Sequence, residues 1–159
     1  MTRRGSRGFT TIELVVALAV FVILLALLVP KYIALVRHTK ATQAMADLFA
    51  VRAAGYIYYA ETGNWPAESA TGVIPRELIH YLPKAFDFRN KDYQLDWENW
   101  RRPDGSPRSP RTGILIGVSV VSRDVSLLRD VQKVLSGQSF RRISKRKSTL
   151  EILGLSGQI

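Results

Sequence analysis

Leu14 to Val29 is an unbroken run of sixteen apolar residues, with a carboxylate at its head, Glu13, and a proline, Pro30, at its foot. Counted from Phe9 the segment has 21 positions, and roughly 20 apolar residues are what a helix needs to cross a hydrocarbon core. At 1.5 Å per residue it measures about 30 Å. In front of it stands a short basic leader, Met1 to Gly8, carrying Arg3, Arg4 and Arg7. A carboxylate just inside a membrane helix is costly unless it finds a partner, so Glu13 marks a functional position.

Two ordinary readings compete. A cleaved secretory signal has an apolar core of about 7–15 residues followed by small residues at the cut. Here the run is longer, opens on an acid, and ends in Val29-Pro30-Lys31-Tyr32. A plain signal anchor fits the length but has no evident need of Glu13. The order Gly8-Phe9-Thr10-Thr11-Ile12-Glu13-Leu14 resembles the N-terminus of type IV pilins and type II secretion pseudopilins: basic leader, Gly, Phe-Thr-x-x-Glu, apolar helix.

The resemblance covers about the first fifth of the chain, with Pro30 at the family's helix-bending position. It implies cleavage after Gly8 by a prepilin peptidase, N-methylation of the new amine on Phe9, and pairing of Glu13 with a neighbouring subunit's Phe9 amine in a filament. It further implies a bacterial inner-membrane location, single-pass, with an extracytoplasmic domain, and partners in other pilin or pseudopilin subunits and an inner-membrane assembly platform. Some relatives carry a mid-helix glycine near position 22; this chain has Val22 and no glycine from Phe9 to Val29. Many pilins have a C-terminal disulfide loop. This chain has no cysteine, which leans towards pseudopilins and related non-adhesive subunits.

With 159 residues, the chain divides into a leader (1–8), a membrane and assembly helix (9–30) and a domain (31–159) large enough for one modest core. The expected fold class is α+β and pilin-like: one long N-terminal helix, kinked at Pro30 and reaching about Ala60, its C-terminal half packed on a small antiparallel sheet. Ala44, Leu48, Val51, Gly55 and Tyr58 form an apolar stripe by 3–4 spacing. Gly63 and Pro66 end the helix, and Gly63-Asn64-Trp65-Pro66 resembles the pseudopilin exit from the long helix. Pro75 opens a short helix expected over Arg76 to Leu82.

Tyr93, Leu95 and Trp97 alternate with Gln94, Asp96 and Glu98, which reads as a half-buried strand. Asn99 to Thr112 reads as a loop, Gly113 to Val121 as a second strand pairing with the first, and Leu127 to Leu135 as an amphipathic helix capped by Ser122 or Asp124 and stopped by Gly137. Phe140 to Ser144 and Thr149 to Leu153 are candidate short strands.

Little points to catalysis. His38 and His80 have no acid or cysteine at ligand spacing, and the acids Asp87, Asp92, Asp96 and Glu98 fall into no calcium-loop pattern. No phosphate loop or nucleophile elbow occurs, so no cofactor, metal or enzymatic activity is expected. The net charge of +10 would fall to +7 without the leader. Its densest run is Arg141, Arg142, Lys145, Arg146 and Lys147. Such a run could contact nucleic acid through phosphates, with Trp97 and Trp100 beside Arg101 and Arg102 as stacking candidates, but more often it is a solvated or docking surface. The alternative to a filament subunit is therefore a signal-anchored protein whose basic domain binds DNA or lipid.

Overall fold

The computed structural model describes residues 10–101, 114–137 and 140–154. Its first element is α1, Thr11–Thr62, which continues through Pro30. The chain divides into two compact units, Met1–Val36 and Arg37–Ile159.

Described residues of the first unit are helical from Thr11, and the large apolar side chains from Ile12 to Leu35 are exposed. The helix is long and apolar enough to cross a membrane. Pro30 lacks the amide that would reach back one turn, yet helix continues on both sides of it.

In the second unit α1 becomes amphipathic. Ala41, Ala44, Leu48, Val51, Ala54 and Gly55 are buried, while Tyr58 is only partly so. Each fully buried Leu or Val contributes roughly 1.5–3 kcal/mol relative to exposure. Gly63 ends α1 with φ 69°, donating its N–H to the Tyr59 carbonyl at 2.8 Å. This left-handed closure is one that favours glycine.

Four strands form one antiparallel sheet: β1 (Gln94–Asn99), β2 (Ile114–Val121), β3 (Phe140–Arg142) and β4 (Lys147–Gly154), in the order β1-β2-β4-β3. The β1–β2 register sets Leu95 against Val120 and Trp97 against Val118, so their side chains join the helix stripe in one core with Phe88, Tyr93 and Leu150. Between β2 and β3 lies α2, Val125–Val134. Asp124 caps it, its Oδ1 accepting from Ser126 N–H at 2.8 Å and Leu127 N–H at 3.4 Å. Such a cap contributes about 1 kcal/mol.

Three expectations need correction. The helix expected over Arg76 to Leu82 is a single 3-10 turn, Arg76–Leu78, because Pro83 disfavours helical geometry in the residue before it. The basic run is not a tail: Arg141 and Arg142 lie in β3, Lys147 opens β4, and residues 143–146 form the turn between them. Strand β1 is not half-buried by alternation, since Asp96 and Glu98 are as inaccessible as Leu95 and Trp97. Of the loop read as Asn99 to Thr112, residues 102–112 lie outside the described residues, as does Gly113.

Candidate functional site

At the start of α1, Glu13 Oε2 accepts from the Thr10 backbone N–H and from the Thr10 hydroxyl, both at 2.8 Å. Glu13 N–H donates back to Thr10 Oγ1 at 3.3 Å. This is a reciprocal capping box, and it pairs the one acid of the apolar segment within its own chain. The reading that a plain anchor has no use for Glu13 is thereby corrected. The signal was present in the order Thr10-x-x-Glu13. Gly8 and Phe9, the expected processing residues, lie outside the described residues.

The sheet brings a second group together. Lys147 Nζ lies 2.8 Å from Asp96 Oδ2 and is also paired with Glu98 Oε1. Asp96 Oδ2 accepts from the Thr71 hydroxyl at 2.7 Å, and Glu98 Oε1 from the Ser119 hydroxyl at 2.8 Å. Ser119 Oγ in turn meets Thr149 Oγ1 at 2.7 Å. Burial pushes the Glu98 carboxyl up more than its hydrogen bonds from Lys147 and Ser119 pull it down. Burial pulls Lys147 down, but its bonds to Asp96 and Glu98 outweigh that and hold the ammonium above its ordinary range. Both shifts have the direction expected where acids outnumber the single cation. Among the described residues no group of three His, Cys, Asp or Glu is placed to hold a metal ion. His38 and His80 are exposed, and His80 lines an apolar cleft with Ile74, Ile79, Leu82 and Phe86.

The five basic residues at 141–147 are dispersed. Lys147 turns onto the acids, Arg141 stands 3.6 Å from Glu151, and Arg142 donates to the Ser144 carbonyl at 3.2 Å and the Lys145 carbonyl at 3.4 Å. Arg146 instead lines a cleft of about 400 Å³ with Lys91 and Arg123. Those two lie 55 and 23 residues before Arg146 (146 − 91 and 146 − 123), so no run of sequence signals the grouping. Trp97 is core rather than a stacking surface, being fully buried with its indole N–H donated to the Pro66 carbonyl at 3.2 Å.

Residues 3–29 match the family model described as the prokaryotic N-terminal methylation motif. The chain is also 32% identical over 74 residues to the fimbrial protein EcpC of Eikenella corrodens. That alignment takes in 46% of this chain and 48% of the relative, so the chain spans about half the length of the curated relative it matches. No solved structure matches it significantly. The fold, a long apolar helix followed by a four-stranded antiparallel sheet and a short helix, is α+β and pilin-like.

Proposed function

We propose that this chain is a pilin-type structural subunit, a pseudopilin or minor pilin, of a type IV pilus-like or type II secretion filament. The observation that carries the reading is the register at the head of α1. Gly8, Phe9 and Glu13 stand at fixed spacing before an apolar helix, in the segment that matches the methylation motif. The similarity to a fimbrial protein favours the same reading, and the chemistry is structural rather than enzymatic.

In this account a prepilin peptidase cuts after Gly8 and the amine of Phe9 is methylated. The apolar helix stores the subunit in the inner membrane, with residues 31–159 extracytoplasmic and an assembly platform alongside. On assembly the helices bundle, and Glu13 meets the Phe9 amine of a neighbour. Charge-assisted hydrogen bonding offsets the cost of burying both groups. Because Glu13 already closes its own capping box, the carboxylate enters assembly with a local partner. The neighbour's amine must then bind it alongside the Thr10 donors or displace one of them.

The test is mass spectrometry of the N-terminal peptide from native cells, together with filament incorporation of Glu13→Ala. We expect a mature chain starting at N-methyl-Phe9, and a variant that inserts in the membrane but assembles poorly. An intact leader in native cells, or incorporation of Glu13→Ala at the wild-type level, sinks the reading.

A further inference from the structure

We propose that residues 66–73 form a pH-sensitive strap over the outer edge of β1, fastened when Glu68 is protonated and loosened when it ionises. In the order β1-β2-β4-β3, β1 is an edge strand, and an open edge invites pairing with other chains unless something covers it. Gly72 N–H donates to the Leu95 carbonyl at 2.8 Å, and Leu95 N–H in turn donates to the Phe88 carbonyl at 2.8 Å. The Pro66 carbonyl accepts from the Trp97 indole at 3.2 Å and from the Asn99 side-chain amide at 2.8 Å. The Asn99 backbone N–H is taken by the Glu68 carboxyl oxygen Oε2. A titratable side chain thus stands where a neighbouring strand would supply a backbone acceptor.

The charges around Glu68 do not balance. Asp96 and Glu98 come from β1, and Lys147 of β4 pairs with both. From β2 the group receives the Ser119 hydroxyl, which carries no charge. Arg89 donates its Nε to the Gly72 carbonyl at 3.2 Å, within the strap's own backbone, and Arg141 stands beside Glu151. Among the described residues Glu68 is in no ion pair, so three carboxyls share one ammonium. The shortage shows at Asp96. Its Oδ2 takes Lys147 and the Thr71 hydroxyl, whereas its Oδ1 is buried with no hydrogen-bond partner among the described residues. Burial first, then the charges of Glu98 and Asp96, push the Glu68 carboxyl above its ordinary 4.5, against the pull of the Asn99 amide and of Lys147.

With the strap open, Glu68 stands in water and titrates at its ordinary value, so the closed form binds the proton more tightly. Closure is favoured fully below 4.5 and weakens as pH rises through the shifted value. For one proton the closed-to-open ratio falls by at most about tenfold per pH unit, and because Glu68 is partly in solvent, screening keeps the change below that limit. A neutral Glu68 still has a carbonyl oxygen to accept the Asn99 N–H, so protonation removes the repulsion and keeps the bond. Opening takes their present partners from the Leu95 carbonyl and the Asn99 N–H, and an edge strand in that state can accept an added one. The strap lies wholly within the second unit, so it works whether or not the chain assembles into a filament.

The experiment is amide hydrogen exchange of the full chain in a nonionic detergent, read by NMR from mildly acidic to mildly alkaline pH and corrected for intrinsic exchange rates. Protection of the Gly72 and Asn99 amides should fall severalfold as pH rises, by less than about tenfold per pH unit, while amides of the β2–β4 ladder lose less. Glu68→Gln keeps an acceptor for Asn99 and cannot ionise, so it should hold both amides at their acid level of protection throughout. A Glu68 that serves only as a hydrogen-bond acceptor would give no such locking. Protection at Gly72 and Asn99 that stays flat or rises with pH in the wild type overturns the proposal, whatever the variant does. So does an equal fold loss in the ladder amides, which means that the whole unit opens rather than the strap. A pH dependence that survives in Glu68→Gln also overturns it and moves the titration to Asp96 or Glu98.

Discussion

Lys147 is the single cation that Asp96 and Glu98 share on a face of the sheet where both are almost inaccessible. Breaking a buried ion pair by removing one partner leaves an uncompensated charge and costs about 3–5 kcal/mol. Lys147→Met should therefore lower stability by that order at neutral pH, read by chemical denaturation of the full chain in detergent. The pH dependence has a defined sign. Glu98 is raised above 4.5, so its contribution is present below that value and is lost as pH climbs through its shifted pKa. Lys147 is raised above 10.5, so its contribution persists through neutral pH and is lost only as pH rises past its own shifted pKa. Burial and a hydrogen bond to Asp47 raise the Tyr93 phenol as well, with the same alkaline sign. The wild type should accordingly weaken in strong alkali. The deficit of Lys147→Met should shrink as pH falls towards 4.5, where the Glu98 carboxyl, once protonated, no longer needs a cation. A deficit independent of pH would show that Lys147 acts through packing alone.

Helix α1 lies close against the sheet at Gly55. A Cβ built there would lie 2.6 Å from Cη2 and 2.9 Å from Cζ3 of Trp97, a rigid ring that is itself fully buried. Alanine would add up to about 1 kcal/mol of helix propensity, but forcing extra volume into a packed core costs about 1–3 kcal/mol. Overpacking wins, so Gly55→Ala should lower the melting temperature despite improving the helix. An unchanged or higher Tm would mean that Trp97 moves freely. The helix stripe and the antiparallel β1–β2 pair were legible because their apolar residues recur at periods set by backbone geometry. The capping box is equally local, its signal being the order Thr10-x-x-Glu13. Burial of Asp96 and Glu98 was not legible, since alternation assigns polar residues to solvent and their counter-charge lies 51 residues on from Asp96. The Lys91, Arg123 and Arg146 cleft depends on strand register, which no local pattern encodes.

For the molecule as a whole, a net charge of +10 favours polyanions in general, and the question is whether its densest run serves duplex DNA. Counterion release gives a log–log salt slope of about −0.9 per neutralised phosphate. Five free cations in one run would give a slope steeper than −4 by that rule. The structure commits Lys147 to Asp96 and Glu98 and sets Arg141 beside Glu151. Arg142, Lys145 and Arg146 then remain, for a slope of about −3 at most. Three phosphate contacts give weak, sequence-independent association that fades as salt approaches the physiological range. Fluorescence anisotropy of a labelled duplex with the full chain in detergent, at low and near-physiological salt, reads this directly. We expect a shallow slope and no micromolar binding at the higher salt. Micromolar binding that persists there, and is lost when Arg142, Lys145 and Arg146 are reversed to Glu, would move the basic hairpin from a docking surface to a nucleic-acid contact.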